Sequence, residues 1–145
     1  MQQQIRSMLF VPGDSPRKFD KARQCGADAL ILDLEDSVAA AQKEAARQTT
    51  ATMLGQARAD QRMFVRINAL DTGLALHDLA AVMPGRPDGI VLPKSESGHD
   101  VRRLGHYLDA LEAAHGHPAG QTRILAIATE TARGVGALGS YAGCC

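Results

Sequence analysis

The chain has 145 residues, 45% of them hydrophobic and 22% charged, which suits one soluble globular domain with a buried core. Sixteen basic residues balance sixteen acidic ones, so the composition argues against a broad electrostatic surface for nucleic acid or an anionic membrane. No apolar run approaches the ~18 residues of a membrane span, and Met1-Gln2-Gln3-Gln4-Ile5-Arg6 lacks the apolar core of a signal peptide; the expectation is a cytoplasmic protein.

Taken in order, short apolar runs alternate with helical patterns. Ser7 to Val11 is an apolar run closed by Pro12-Gly13-Asp14-Ser15-Pro16. Ser15 there can cap a helix with Pro16 at its first position. That helix is expected to reach Ala27, with Phe19, Ala22 and Cys25 inward. A second run, Ala29 to Leu32, ends in Asp33-Leu34-Glu35-Asp36 and opens an alanine-rich helix from Val38 to Leu54. The third run is Met63 to Asn68, followed by a helix on Leu74, Leu76, Leu79 and Val82 that breaks at Pro84-Gly85. The fourth, Gly89 to Leu92, stops at Pro93-Lys94. Val101, Leu104, Leu108 and Leu111 then recur at helical spacing until His115-Gly116-His117-Pro118. The fifth run, Ile124 to Ala128, leads to Thr129-Glu130-Thr131-Ala132-Arg133-Gly134. The three cysteines, two of them adjacent at Cys144 and Cys145, match neither a disulfide framework nor a zinc spacing and are read as reduced bystanders.

Five strand-like runs separated by helices call for βαβ units and a parallel sheet. Their apolar character implies cover on both faces, which leaves a doubly wound sheet or a (β/α)8 barrel. The ends of runs two to five carry Asp33/Glu35/Asp36, Arg66/Asn68, Lys94/Glu96 and Glu130/Arg133, whereas the beginnings are read as carrying no comparable sets. In a barrel all such ends share one mouth; in an open sheet only those at the switch point meet. The first loop has neither Gly-x-Gly-x-x-Gly nor Gly-Lys-Ser/Thr, which removes the commonest nucleotide readings. The barrel is therefore favoured. A closed barrel needs roughly 200 residues or more, so residues 1–145 are expected to be its first part, about five βα units, with both sheet edges open.

Five stretches carry a resemblance: Arg6 to Gly13, Gly26 to Val38, Val65-Arg66-Ile67-Asn68, Leu92-Pro93-Lys94-Ser95-Glu96-Ser97 and Glu130 to Gly134. In order and spacing they resemble the signatures of the HpcH/HpaI aldolase and citrate lyase superfamily, closest to citrate lyase beta-subunit-like proteins. The resemblance implies a TIM-type (β/α)8 barrel that cleaves or forms carbon–carbon bonds beside a thioester using Mg²⁺. It also implies a homo-oligomer, with a trimer among the options, and citrate lyase alpha- and gamma-type subunits as partners. The thioester carrier is coenzyme A or an acyl carrier protein.

Cleaving a 3-hydroxyacyl thioester to a keto acid and an acetyl thioester requires removal of the hydroxyl proton and stabilisation of an enolate. Mg²⁺ held by carboxylate oxygens suits the keto acid. By resemblance Glu130 is one ligand, and the second, an aspartate after the following strand, has no counterpart in the 145 residues. Arg66 offers a fixed, charged fork for a carboxylate or carbonyl oxygen; a structural Arg66 would pair with Glu35 and Asp36. Those two acids are implied to be proton-handling or supporting groups, although Asp36 could instead cap the next helix with Ser37. Asp33 is read as structural. Lys94 is a substrate-binding candidate and Glu96 a weaker one, against the reading of an ordinary surface Lys–Glu pair. Arg17 and Lys18, if at the mouth, could meet the phosphates of the carrier arm. His77, His99, His106, His115 and His117 are read as surface residues.

The leading reading is an Mg²⁺-dependent lyase acting on a citryl, citramalyl or malyl thioester. Two others stand beside it: a class II aldolase acting on free hydroxy-keto acids, and a catalytically silent partial barrel or binding module.

Overall fold

The first, second and fourth apolar runs end where a proline or charged group interrupts them, and their strands follow those limits, whereas the third strand stops at Arg66, short of Asn68, and the fifth at Ala126, short of Ala128. The computed structural model describes residues 4–56 and 60–144. Cys145 and the first three residues of the amino-terminal stretch lie outside the described residues. The elements are β1 (Met8–Pro12), α1 (Pro16–Ala22), β2 (Ala29–Asp33), α2 (Lys43–Leu54), β3 (Arg62–Arg66), α3 (Ala75–Val82), β4 (Gly89–Leu92), α4 (Gly98–His115), β5 (Arg123–Ala126) and α5 (Ala132–Gly136). Short 3-10 turns occupy Ala40–Gln42, Met83–Gly85 and Leu138–Tyr141.

The five strands form one parallel sheet in the order β1-β2-β3-β4-β5. No strand order reverses, so the sheet has no switch point of the doubly wound kind. Side chains alternate across the strands, and the two faces differ. Leu30, Leu32, Met63, Val65, Ile90 and Leu92 join Phe19 of α1, Met53 of α2, Leu79 of α3 and Leu104 of α4 in one core. Ala29, Ile31, Phe64 and Val91 line the opposite face, with Ile5, Met8 and Ile127 against them. Helices on one face and a small apolar lining on the other make this sheet the arc of a (β/α)8 barrel wall, β1 and β5 forming its open edges. The central strands are buried on both faces, but Phe10 on β1 and Leu125 on β5 remain exposed on the lining face.

Several expected boundaries shift for local reasons. α1 ends at Ala22, not Ala27, because Gln24 and Cys25 turn back onto Lys21 and Ala22 and Gly26 takes a left-handed conformation (φ 77°); Cys25 is exposed rather than inward. α2 starts at Lys43, not Val38. The Asp33 carboxylate accepts the N–H groups of Glu35 (2.9 Å) and Ser37 (3.0 Å), and this Asx-type turn keeps the chain out of a helix until Ala40. Asp36 is exposed and caps nothing there, since Ala39 is the N-cap of the 3-10 turn. On α3 Leu76 is exposed and Ala75 takes the inward place.

The strand beginnings are also more charged than expected. Asp28 binds the N–H groups of Arg6 (2.8 Å) and Ser7 (2.9 Å) and the Arg6 guanidinium. Those bonds hold its carboxyl far below the usual aspartate range. Asp88 receives Met63 N–H (2.8 Å) and lies 3.4 Å from Arg62. Buried Glu112 of α4 receives Gly120 N–H (2.6 Å) and Thr122 N–H (2.7 Å). These carboxylates satisfy backbone donors of the strand entrances.

Candidate active site at the carboxyl ends of the strands

Strand register delivers the first pair. Asp33 is the Cα partner of Pro12 on one side and of Arg66 on the other. In one row and on one face, Asp33 and Arg66 meet as a fork: Arg66 Nε donates to Oδ1 at 2.8 Å and Nη2 to Oδ2 at 2.7 Å. The main partner of Arg66 is thus Asp33, not Glu35 and Asp36 as expected. Burial pushes the Asp33 carboxyl up, but the bonds from Arg66, Ser37 and Glu35 outweigh it and hold Asp33 below its ordinary value. The same bond raises the Arg66 pKa further. The exposed Phe10 ring lies 4.6 Å from the guanidinium carbon, a cation–π contact that covers one face of the fork.

Arg66 and Lys94 share Glu35. Arg66 Nη1 lies 3.3 Å from Glu35 Oε2, an ion pair without hydrogen-bond geometry that leaves Oε2 a buried acceptor with no hydrogen bond. Lys94 Nζ donates to Glu35 Oε1 and lies 3.6 Å from Asp36 Oδ1. The bond to Glu35, reinforced by Asp36 and Glu130, raises the Lys94 pKa, so Lys94 is a cation and not a proton acceptor at neutral pH. Its backbone takes a left-handed conformation rare for a side-chain-bearing residue (φ 50°). Glu130 secures that conformation: its Oε2 accepts Lys94 N–H at 2.6 Å, while Ser95 N–H reaches Ile127 O at 3.1 Å. Glu130 itself precedes Thr131, whose hydroxyl caps α5 by accepting Gly134 N–H at 3.0 Å.

Behind this row lies a polar frame of which only Asn68 stood out in the sequence. Lys43 Nζ, from the first turn of α2, donates to Leu34 O (2.7 Å) and Glu35 O (2.6 Å). Asn68 Nδ2 also donates to Leu34 O (3.0 Å) and to Asp78 Oδ2 (2.7 Å). Asp78, wholly buried on α3, accepts Arg47 Nε at 2.8 Å. For the rest, the one available signal was Lys43-x-x-x-Arg47, two cations on one face of an otherwise alanine-rich helix.

Other candidates are not drawn in. Lys18 lines a groove along the outside of β1 with Leu9, Val11 and Lys21, and Arg17 is exposed in the same turn. Lys94 and Glu96 are not paired with each other: half-buried Glu96 lies 3.3 Å from exposed Arg133. His77, His99, His106 and His115 are exposed, and His117 is half-buried beside His115.

Four carboxylates, Asp33, Glu35, Asp36 and Glu130, thus surround the cations Arg66 and Lys94. Asp33 and Glu35 are taken up by Arg66, Lys94 and backbone amides, whereas a hard cation such as Mg²⁺ needs only one or two carboxylates and completes its shell with water and substrate. Glu130 fits as one such donor, being exposed with one oxygen engaged by a backbone amide. Among the described residues no three His, Cys, Asp or Glu side chains gather as a complete metal cluster. No helix among the described residues is long and apolar enough to cross a membrane.

Comparison with known proteins agrees with this fold. The sequence profile described as HpcH/HpaI aldolase/citrate lyase matches residues 6–141. The citrate lyase subunit beta of Escherichia coli K12 is 39% identical over 122 residues, covering 83% of this chain and 40% of its own length. A (3S)-malyl-CoA thioesterase of Cereibacter sphaeroides KD131 is 40% identical over 101 residues, covering 69% of this chain and 35% of its own. Among solved structures, protein CitE of Mycobacterium tuberculosis in complex with magnesium, acetoacetate and coenzyme A superposes with a TM-score of 0.72 at 34% identity. That match covers 98% of this chain and 47% of CitE. The chain spans about four-tenths of the length of the curated relatives it matches.

Proposed function

The chain belongs to the HpcH/HpaI aldolase/citrate lyase family, and we propose that it forms the first five βα units of a carbon–carbon lyase acting on a 3-hydroxyacyl thioester. The products are a keto acid and an acetyl thioester, the acyl group being of the citryl, citramalyl or malyl type. The observation that carries this reading is the chain of contacts Asp33–Arg66–Glu35–Lys94–Glu130, which ties four consecutive strand ends, β2 to β5, into one charged row. The named relatives and the CitE complex support the thioester class and the use of magnesium.

In this proposal the residues divide the work by what each has free. Asp33 uses two of the five N–H donors that a guanidinium carries, so Arg66 keeps donors for a substrate carboxylate or carbonyl oxygen. Fixed by two parallel bonds, Arg66 is preorganised and loses little entropy on binding. Lys94 supplies a second fixed positive charge where an enolate oxygen develops. Glu35, buried between the two cations, holds both in place. Asp36, exposed beside Lys94, is the carboxylate that a substrate hydroxyl can reach and takes its proton. Glu130 would hold Mg²⁺, which when bound chelates and polarises the keto acid portion. The rest of the barrel is proposed to furnish the second carboxylate, and the assembly to be homo-oligomeric.

The test is cleavage of malyl- and citramalyl-CoA by the complete protein with added Mg²⁺, beside the free hydroxy acids. Arg66→Ala is expected to lower kcat/KM by about 100-fold or more. Glu130→Ala is expected to weaken the response to Mg²⁺, read by titrating the metal. Turnover of free acids but not thioesters favours the aldolase alternative, and wild-type kinetics in either variant refutes the role given to that residue.

A further inference from the structure

We infer that Lys43 and Asn68 are positioning residues that fix the Leu34–Glu35 turn, and through it the place of the Glu35 carboxylate between Arg66 and Lys94; this rests on the proposed lyase reading. Leu34 N–H donates to Arg66 O (2.9 Å), and Glu35 N–H donates to Asp33 Oδ1 (2.9 Å). Leu34 O accepts from both Lys43 Nζ and Asn68 Nδ2, and Glu35 O accepts from Lys43 Nζ and Val38 N–H. All four backbone groups of the two residues are bonded, and two side chains from different elements hold the carbonyls. Such a turn has no slack.

The frame is anchored in turn. Asn68 is buried, and its own N–H and its Nδ2 both meet Asp78 Oδ2 (2.8 and 2.7 Å). The other Asp78 oxygen takes Arg47 Nε, one helical turn beyond Lys43 on the same face of α2. α2, α3 and the β3 exit therefore converge on one peptide segment, and the side-chain hydrogen bonds of Lys43 and Asn68 go to its carbonyls and to Asp78 rather than to side chains of the charged row. Glu35 has a matching requirement. It is buried and spans two cations from neighbouring strands, so a displacement of its backbone by about 1 Å loosens Arg66 and Lys94 together. Misplacement on that scale can cost about 100-fold in rate.

The experiment uses the complete protein and three variants: Lys43→Met, which keeps length and removes the ammonium, Lys43→Arg, and Asn68→Ala. Amide hydrogen exchange reads the turn directly. The Glu35 and Ser37 amides are expected to exchange about 10-fold or more faster in Lys43→Met and Asn68→Ala, with the amides of α4 unchanged, and Lys43→Arg is expected to restore protection. On malyl-CoA, kcat of Lys43→Met is expected to fall about 10- to 100-fold with KM within about twofold. Unchanged exchange at Glu35 and Ser37, or acceleration spread equally through α4, overturns the inference. So does local loosening of the turn while wild-type kcat is kept. A wild-type protein that turns over no thioester, yet shows the local exchange effect, sinks the lyase reading and leaves the positioning of the turn standing.

Discussion

Replacing Asp33 by asparagine preserves shape and removes one charge at the most connected carboxylate of the site. Asp33 is 1% exposed and accepts four hydrogen bonds: two from Arg66 and one each from the Glu35 and Ser37 amides. An asparagine oxygen can keep the pair of bonds on one side. Its NH2 group then faces two donors, Arg66 Nη2 and the Ser37 amide, and those bonds are lost. Breaking a buried pair by removing one partner costs about 3–5 kcal/mol. Arg66 retains Glu35 and the Phe10 ring, so the low end, about 3 kcal/mol, is expected. In urea, with a slope of about 2 kcal/mol per molar, the unfolding midpoint of the complete protein should fall by about 1.5 M. The sign with pH is also set. The folded carboxyl lies below its ordinary value of 3.8, so its stabilisation is fully present above that value and is lost as pH falls through the folded value. The gap between wild type and Asp33→Asn should narrow from pH 4 downward. A midpoint within 0.5 M of wild type (about one-third of the expected shift), or a gap that does not change between pH 5 and pH 3, refutes this account of the pair.

Two further predictions concern the scaffold. Glu112→Ala leaves the Gly120 and Thr122 amides without their acceptor near the entrance of β5, and at about 1–3 kcal/mol per orphaned group the melting temperature should drop by several degrees while Mg²⁺ response is kept. An unchanged melting temperature would show that water replaces the carboxylate without loss. Gly98→Ala places a methyl group 2.2 Å from Ser140 O, a backbone atom; the Leu138–Tyr141 turn must move away, costing about 1–3 kcal/mol, whereas a calorimetric trace identical to wild type would mean that the turn yields freely.

Much of the fold was legible because its signals are local. Apolar runs of four to six residues, bounded by prolines such as Pro12 and Pro93 or by polar and charged residues, marked the five strands, and Gly116 marked the end of α4 with a left-handed cap (φ 67°). The choice of barrel arc over doubly wound sheet rested on charged strand ends, and the unreversed order with helices on one face bears it out. The strand beginnings, expected to carry no comparable charged sets, do carry them. Asp28, Asp88 and Glu112 look alike in sequence to the acids of the mouth, but they bind the backbone amides of strand entrances.

By itself the sequence determined the five strands, the helices between them and their order, the family, and which residues stand at the ends of strands, since all of these depend on spacing along the chain. Only the tertiary structure decided who pairs with whom. Asp33 meets Arg66 because parallel register sets them side by side 33 positions apart, and Lys94 reaches Glu35 across 59. No periodicity encodes a register between strands, nor the reach of Lys43 and Asn68 onto one carbonyl; both arise when helices and strands pack and each buried polar group must find its partner.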